Sequence, residues 1–328
     1  MSSTDADQTR TASAFDVFNG DADGICALHQ LRLAEPLDAR LVTGVKRDIC
    51  LLPQFTAGRG DRITVLDISL DANLAALQSQ LAAGAQVEYF DHHSAAMAFS
   101  HPALKLHSDE AADVCTSILV NHHLQGRYAV WAIVAAFGDN LIAPARAMAL
   151  TAAYSQRQSE QLQQLGTLLN YNAYGEHPED LHFHPAQLYR ALHAYRDPCD
   201  FIAAAPEFSI LRRAYAQDLA GMETLQASAQ SQTAAMYILP DLAWARRVSG
   251  MLANKLKNLE TERSFAVLTP KTDGSFVVSV RSAYPQDKPA SDFCSMFCSG
   301  GGRRAAAGIN ALPSDELTLF ASKFFAYF

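Results

Sequence analysis

The chain has 328 residues, 49% hydrophobic and 18% charged, values of an ordinary globular protein that exclude global disorder. At roughly 100–200 residues per domain, the length implies about two domains. Lys and Arg number 26 against 34 Asp and Glu, a net charge of −8, which excludes a broad basic surface gripping duplex nucleic acid through its phosphates.

The charge is unevenly spread: +3 from residue 235 onward (11 Lys/Arg against 8 Asp/Glu) and −11 before it (15 against 26). An acidic N-terminal part reads either as solvated surface or as carboxylates gathered for metal, with a basic partner for phosphate. The six cysteines lie scattered in mostly apolar stretches without disulfide-framework spacing, which suits a reducing cytoplasm. Cys294 and Cys298, the only close pair, read as small buried apolar residues and not as metal ligands. No stretch approaches the ~18 apolar residues that span a bilayer, so a soluble, cytoplasmic protein is expected.

Residues 1–13, rich in Ser, Thr, Asp and Gln, read as a disordered tail without an export signal. Residues 14–18 read as a strand running into Asn19-Gly20-Asp21-Ala22-Asp23-Gly24, after which Ile25–Leu33 has helical spacing. Ile63–Leu66 is a second strand ending at Asp67, Asn73–Leu81 a helix, and Val87–Phe90 a third strand leading into Asp91-His92-His93. Strands alternating with helices imply a parallel sheet that binds ligands at the strands' carboxyl ends. Asp21, Asp67 and Asp91 stand at three such ends.

Helical patterns follow over Asp109–Leu124 and Tyr128–Phe137, the second ending in Gly138-Asp139-Asn140. His122-His123 reads as a helix terminus, not a site. Residues 141–232 are almost continuously helical, with breaks near 175–185 and 197–198. Beyond 235 come a helix over Leu242–Leu259 and strands over Ser264–Leu268 and Phe276–Arg281. Gly300-Gly301-Gly302 is expected to open another helix through Ala305–Ala307, and Ser314 to cap a final apolar helix. The fold class is thus α/β. A parallel-sheet domain with helices on both faces is expected over 14–190, a helical connector over 191–232, and a smaller α/β domain over 233–328.

Asp21 and Asp23, Asp67, His92 with His93, and Asp139 form a set of hard oxygen donors with one or two imidazoles, which suits Mn²⁺ or Mg²⁺ better than zinc. Two carboxylates one residue apart in a turn can each reach a different ion, and Gly24 lets the backbone come close. Asp67, alone on its strand, is the natural bridge between ions about 3.5–4 Å apart. A bare Asp-x-Asp is a weak signal, since Asp5-Ala6-Asp7 repeats it in the tail. The combination is specific.

In order and spacing, Asn19–Gly24, Val65-Leu66-Asp67, Asp91-His92-His93 and Gly138-Asp139 resemble the four motifs of the DHH phosphoesterases. This family includes single-stranded-DNA exonucleases, nanoRNases, cyclic-dinucleotide phosphodiesterases and exopolyphosphatases. Ser279-Val280-Arg281-Ser282 and the run from Gly300 to Gly308 look like its DHH-associated C-terminal domain, which binds substrate, so the resemblance spans about residues 15–328. It implies that Asp21 and Asp67 hold one ion, and Asp23, Asp67, His92 and Asp139 the other. It places Asp91 behind them, orienting an imidazole, and His93 facing the scissile phosphate. Arg281, Gly300, Gly301, Gly302 and Arg303 would bind substrate phosphate across a cleft, with Arg304 facing solvent.

The sequence departs from the family's pattern at three places. Val17 stands where many small-substrate members carry a histidine ligand, which implies a weaker first metal site. Asn19 replaces the aspartate usual in exonuclease members, and Arg303 replaces the histidine that commonly follows the glycines. An arginine there is chemically sensible, because glycines let backbone approach a phosphate, a following helix offers amides, and a guanidinium adds a bidentate clamp. The resemblance implies hydrolysis of short phosphodiesters (oligonucleotides, dinucleotides or 3′-phosphoadenosine 5′-phosphate) by water activated between two Mn²⁺ or Mg²⁺ ions. An exopolyphosphatase, a single-stranded-DNA exonuclease and a non-catalytic nucleotide-binding module remain alternatives; few aromatic residues interleave with Arg and Lys as strand binding would ask. The expected partners are a small nucleotide or short oligonucleotide, with no duplex nucleic acid and no membrane. A homodimer is allowed for.

Overall fold

The computed structural model describes residues 12–96 and 99–328; residues 1–11 of the expected tail, with Asp5 and Asp7, lie outside the described residues. The chain divides into two units. One runs to Ala173 and resumes over Phe183–Ile210; the other comprises Tyr174–His182 and Leu211–Phe328.

The first unit contains β1 (Ala14–Phe18), α1 (Ala22–Ala34), β2 (Arg40–Val42), β3 (Arg62–Leu66), α2 (Leu70–Ala82), β4 (Gln86–Asp91) and β5 (Leu104–Ser108). The helices α3 (Thr116–His123), α4 (Ala129–Gly138), α5 (Ile142–Thr151), α6 (Gln156–Asn172), α7 (Pro185–His193) and α8 (Pro198–Ala204) follow. Its five strands are parallel in the order β2-β1-β3-β4-β5. The central strands are apolar on both faces because helices cover both. Val17, Val65 and Tyr89 lie side by side in register and pack with Leu77 and Leu81 of α2; fully burying each aliphatic side chain contributes about 1.5–3 kcal/mol. On the other face Phe18, Leu66 and Phe90 are equally buried. Asp16 and Thr64 on that face both bond the guanidinium of Arg32 from α1. The register Phe18↔Leu66↔Phe90 ends β1 and β3 level with one another and brings β4 one residue further. The residues that follow therefore gather at one edge of the sheet.

The expected strands and helices of the Asp21, Asp67 and Asp91 motifs form. The helix expected over Asp109–Leu124 does not: only Thr116–His123 is helical, and β5 precedes it. The Asp109 carboxylate accepts from the Ala111 amide at 3.0 Å, a local turn that competes with helix initiation.

The chain passes through α9 (Pro206–Glu223) into the second unit. There β6 (Ala229–Gln230), β7 (Ala234–Ile238), α10 (Ala243–Leu259), β8 (Ser264–Pro270), β9 (Phe276–Arg281), α11 (Ala290–Cys294), β10 (Gly300–Gly302), β11 (Ala306–Leu312) and α12 (Leu317–Tyr327) follow in order. The sheet order is β10-β11-β9-β8-β7-β6, antiparallel except for β7–β8, which α10 connects. One sheet face packs on α10 through Val248 and Leu252. The other packs on α11 and α12 around Phe293, whose ring touches Phe297, Phe320, Phe324 and Phe328 at centroid distances of 5.4–5.8 Å.

The glycine run opens no helix. Gly300–Gly302 pairs antiparallel with Ala307–Ile309, and β11 continues onto β9. Alanine's helix propensity over Ala305–Ala307 loses to strand pairing, which buries Ala307, Ile309 and Leu312. Cys294 is buried as expected, whereas Cys298 is exposed; Cys26 and Cys115 are also buried and Cys50 is exposed. No helix among the described residues is long and apolar enough to cross a membrane.

Candidate active site

Asp21 caps α1: its Oδ1 accepts from the amides of Asp23 at 2.9 Å and Gly24 at 3.1 Å. The turn is held by Asn19, whose Oδ1 accepts from the Asp21 amide and whose Nδ2 donates to the Lys46 carbonyl. Both Asn19 side-chain atoms are thus engaged in the turn. Gly24 permits close approach, but to protein: a Cβ there would lie 2.2 Å from the Asn19 carbonyl oxygen. The other Asp21 oxygen accepts from the Lys46 ammonium, which also bonds Asn170 Oδ1 at 3.1 Å and lies 3.5 Å from Asp139. Burial alone would raise the Asp21 carboxyl, but Lys46 beside it holds it below the usual carboxylate range.

Asp23 is buried in the first turn of α1, and its two oxygens accept from the amides of Thr116 and Ser117, each at 2.7 Å. These are the first amides of α3, where the helix dipole favours negative charge. Asp67 follows β3 in the left-handed region at φ 59° and accepts from Thr116 Oγ1 at 3.2 Å. Burial first, then the charges of Asp23, Asp21 and Asp139, push its carboxyl well above the usual range. Asp139, the C-cap of α4, is pushed up to about 6 by burial and then by Asp23 and Asp21.

His92 Nε2 lies 3.5 Å from Asp67 Oδ1. The next imidazole is more open and bonds backwards: His93 Nδ1 is 2.6 Å from Asp91 Oδ1, and this bond raises its pKa against the effect of burial. Asp91 is buried at the end of β4, where its Oδ2 has no hydrogen-bond partner among the described residues. The donor atoms of Asp23, His92 and Asp139 lie within 4.8 Å of one another, as do those of Asp67, His92 and His93. The sequence-derived set is therefore brought together, with Asp21 turned toward Lys46.

Val17 is fully buried in the cluster under α2 and offers no ligand. Lys46, Asn170, Thr116 and Ser117 are the site residues that sequence reasoning missed. The start Cys115-Thr116-Ser117 carries the hydroxyls of a helix N-terminus, but the longer expected helix obscured it.

The residues present fit a divalent metal. Four carboxylates supply hard oxygen donors beside two imidazoles, burial and then the neighbouring carboxylates raise the Asp67 carboxyl well above its usual range, and a buried Asp91 oxygen is orphaned. A divalent cation would offset this excess of negative charge.

In the second unit, Arg281 ends β9 opposite Ala306, with Nε donating to Asn254 Oδ1 at 3.0 Å. Arg303 lies exposed in the β10–β11 turn, where its amide bonds the Ala306 carbonyl. The two arginines share one end of the sheet. Arg304, expected to face solvent, is exposed, with its guanidinium bonding the carbonyls of Pro285 and Gln286. The glycines serve packing as well: a Cβ on Gly300 would lie 1.8 Å from the Cys294 carbonyl oxygen.

No protein-family model matches the sequence, and no curated protein matches it. Solved structures are similar. RecJ from Thermus thermophilus in complex with Mn²⁺ shares 17% identity over 96% of this chain and 52% of its own, with a TM-score of 0.65. This chain therefore spans about half of that RecJ. The DHH domain of a protein assigned to a family of ribosomal proteins shares 12% identity over 96% of this chain and 86% of that one, with a TM-score of 0.63. A pGpG-specific phosphodiesterase from Vibrio cholerae shares 14% over 96% and 100%, with a TM-score of 0.52. The fold is that of the DHH phosphoesterases, the class the four motifs resemble.

Proposed function

We propose that the protein is a metal-dependent phosphoesterase that hydrolyses short phosphodiesters, with oligonucleotides, dinucleotides or 3′-phosphoadenosine 5′-phosphate as substrates. The observation that carries this reading is the convergence of Asp23, Asp67, His92 and Asp139 at aligned strand and helix ends. The likeness to a phosphodiesterase specific for pGpG supports a small substrate. Bound Mn²⁺ or Mg²⁺ supplies Lewis-acid activation of water and neutralises phosphate charge.

The chain's own residues do the rest. Asp67 and the Asp23–Asp139 pair meet at His92, and Thr116 fixes one Asp67 oxygen. The α3 amides hold Asp23 in one orientation. Asp91 fixes the His93 ring and favours its charged form, so that His93 can donate a hydrogen bond or proton to a phosphoryl or leaving oxygen. In the second unit, Arg281 and Arg303 would hold a phosphate of the substrate.

The test is hydrolysis in Mn²⁺ of a dinucleotide, a longer oligonucleotide, polyphosphate and 3′-phosphoadenosine 5′-phosphate by the native chain and Asp67→Ala. The native protein should cleave a nucleotide substrate, with Asp67→Ala slower by about 100-fold or more. Turnover confined to polyphosphate or long single strands would move the substrate to those classes. No turnover of any of the four, or equal turnover by the variant, would overturn the enzyme reading.

A further inference from the structure

A second group of metal-binding side chains lies on the sheet edge away from the acidic centre. Glu88 and Phe90, two apart on β4, share the face that α3 covers. Phe90 is paired with His107 of β5, so His107 stands on the same face and stacks on Phe90 at 4.2 Å and 6°. Glu88 reaches diagonally to it, with Oε1 at 3.0 Å from His107 Nε2. His123, the last residue of α3, meets both rings edge-on, at 5.3 Å from Phe90 and 4.9 Å from His107. Ligand atoms of Glu88, His107 and His123 all lie within 4.8 Å of one another.

We infer that Glu88, His107 and His123 form a zinc site that is independent of the acidic centre. Two imidazoles and one carboxylate match borderline Zn²⁺, whereas the oxygen-rich centre matches harder ions. Bonds of about 2.0–2.2 Å in a tetrahedron place donors roughly 3.3–3.6 Å apart, a spacing that small side-chain rotations reach here. Phe90 is fully buried and gives both imidazoles a rigid floor, which limits the ordering cost of binding. With three protein ligands and partial exposure, water completes the shell. The ion pins the last turn of α3 to the β4–β5 edge, and the first turn of that helix carries the amides that hold Asp23. A plain Glu88–His107 ion pair accounts for one contact but not for His123 closing the triangle.

The test uses the full chain carrying Asp67→Ala and His92→Ala, which together leave neither donor group of the acidic centre with more than two ligands and so remove it as a competing zinc site. Metal-free protein is titrated with Zn²⁺ against a chromophoric chelator, and absorption at the zinc edge reads the ligands. One tight equivalent with two imidazole ligands is expected. Adding His107→Ala, His123→Ala or the near-isosteric Glu88→Gln should weaken it by about 100-fold or more. Glu88→Gln keeps the packing, so its effect does not depend on the alanine variants folding. Absence of tight zinc binding in the chain carrying Asp67→Ala and His92→Ala, or unchanged affinity when Glu88→Gln and each alanine variant are added to it, would overturn the site. Neither result bears on hydrolysis at the acidic centre.

Discussion

Asp67 carries two unfavourable terms at once. Its left-handed backbone, at φ 59°, costs on the order of 1–3 kcal/mol, and its carboxyl is buried against three others. Under the proposed function, a divalent cation bound here would offset both costs. His29 shows the opposite case, an imidazole that burial keeps neutral. Its Nε2 donates to the Tyr195 carbonyl at 2.9 Å, so its Nδ1, 3.1 Å from His193 Nδ1, accepts from the second ring. Burial and then His193 lower its pKa from 6.5 to about 3. Because the folded value lies below the unfolded one, this group's contribution is complete above pH 6.5 and is lost as pH falls from there toward 3. Between pH 7 and pH 5 the native chain should lose about 2 kcal/mol more stability than His29→Gln. Denaturant unfolding of both at the two pH values measures the difference, and parallel losses would remove His29 as the cause.

At the level of elements, α1, α3 and α4 position the carboxylates. Gly138, just before Asp139, faces Ala22 between Asp21 and Asp23; a Cβ there would lie 2.4 Å from that of Ala22 and 2.9 Å from the Gly166 carbonyl oxygen. Gly138→Ala should therefore destabilise the fold by about 1–3 kcal/mol through overpacking. It should also weaken Mn²⁺ binding, because the same displacement parts Asp139 from Asp23. Urea unfolding together with calorimetric Mn²⁺ titration tests this, and wild-type values in both would show that the crossing tolerates a methyl group. The strands bearing Asp67 and Asp91 were legible because runs buried on both faces read as apolar and end in acid. Gly138-Asp139 was legible as a helix stop. The α3 N-terminus was not, since an acidic, alanine-containing stretch extended its helical pattern backwards over a turn. The β10–β11 hairpin was hidden because pairing to β9 overrides the propensity of Ala305–Ala307. Lys46 gave no local signal: it follows a strand of three residues, and only the acid cluster, assembled in space, shows why a cation belongs there.

Across the whole molecule, the region before residue 235 holds 26 Asp/Glu against 15 Lys/Arg, and the aligned ends of β1, β3 and β4 bring four of those acids, Asp21, Asp23, Asp67 and Asp91, to one edge of the sheet. Of the charges around the cluster, Lys46 bonds Asp21 and His93 pairs with Asp91, yet burial and its neighbours still push Asp139 up to about 6 and Asp67 higher than the normal range. Folding without metal therefore works against mutual repulsion of these carboxylates, and a divalent cation that binds only the folded state should stabilise it by mass action. At a hundredfold excess over its Kd, Mn²⁺ should add about 2.7 kcal/mol, which raises the unfolding midpoint of a unit this size by roughly 5–10 °C. Asp139→Asn removes one charge, at a carboxyl whose ionised form the fold disfavours, while keeping the side chain's shape. It should unfold at a similar or higher temperature than the native chain without metal, because repulsion is relieved, and should respond weakly to Mn²⁺. Thermal unfolding of both proteins with and without Mn²⁺ reads the two effects together. Equal metal-induced shifts in the two proteins would place the stabilising ion somewhere other than the Asp23–His92–Asp139 group.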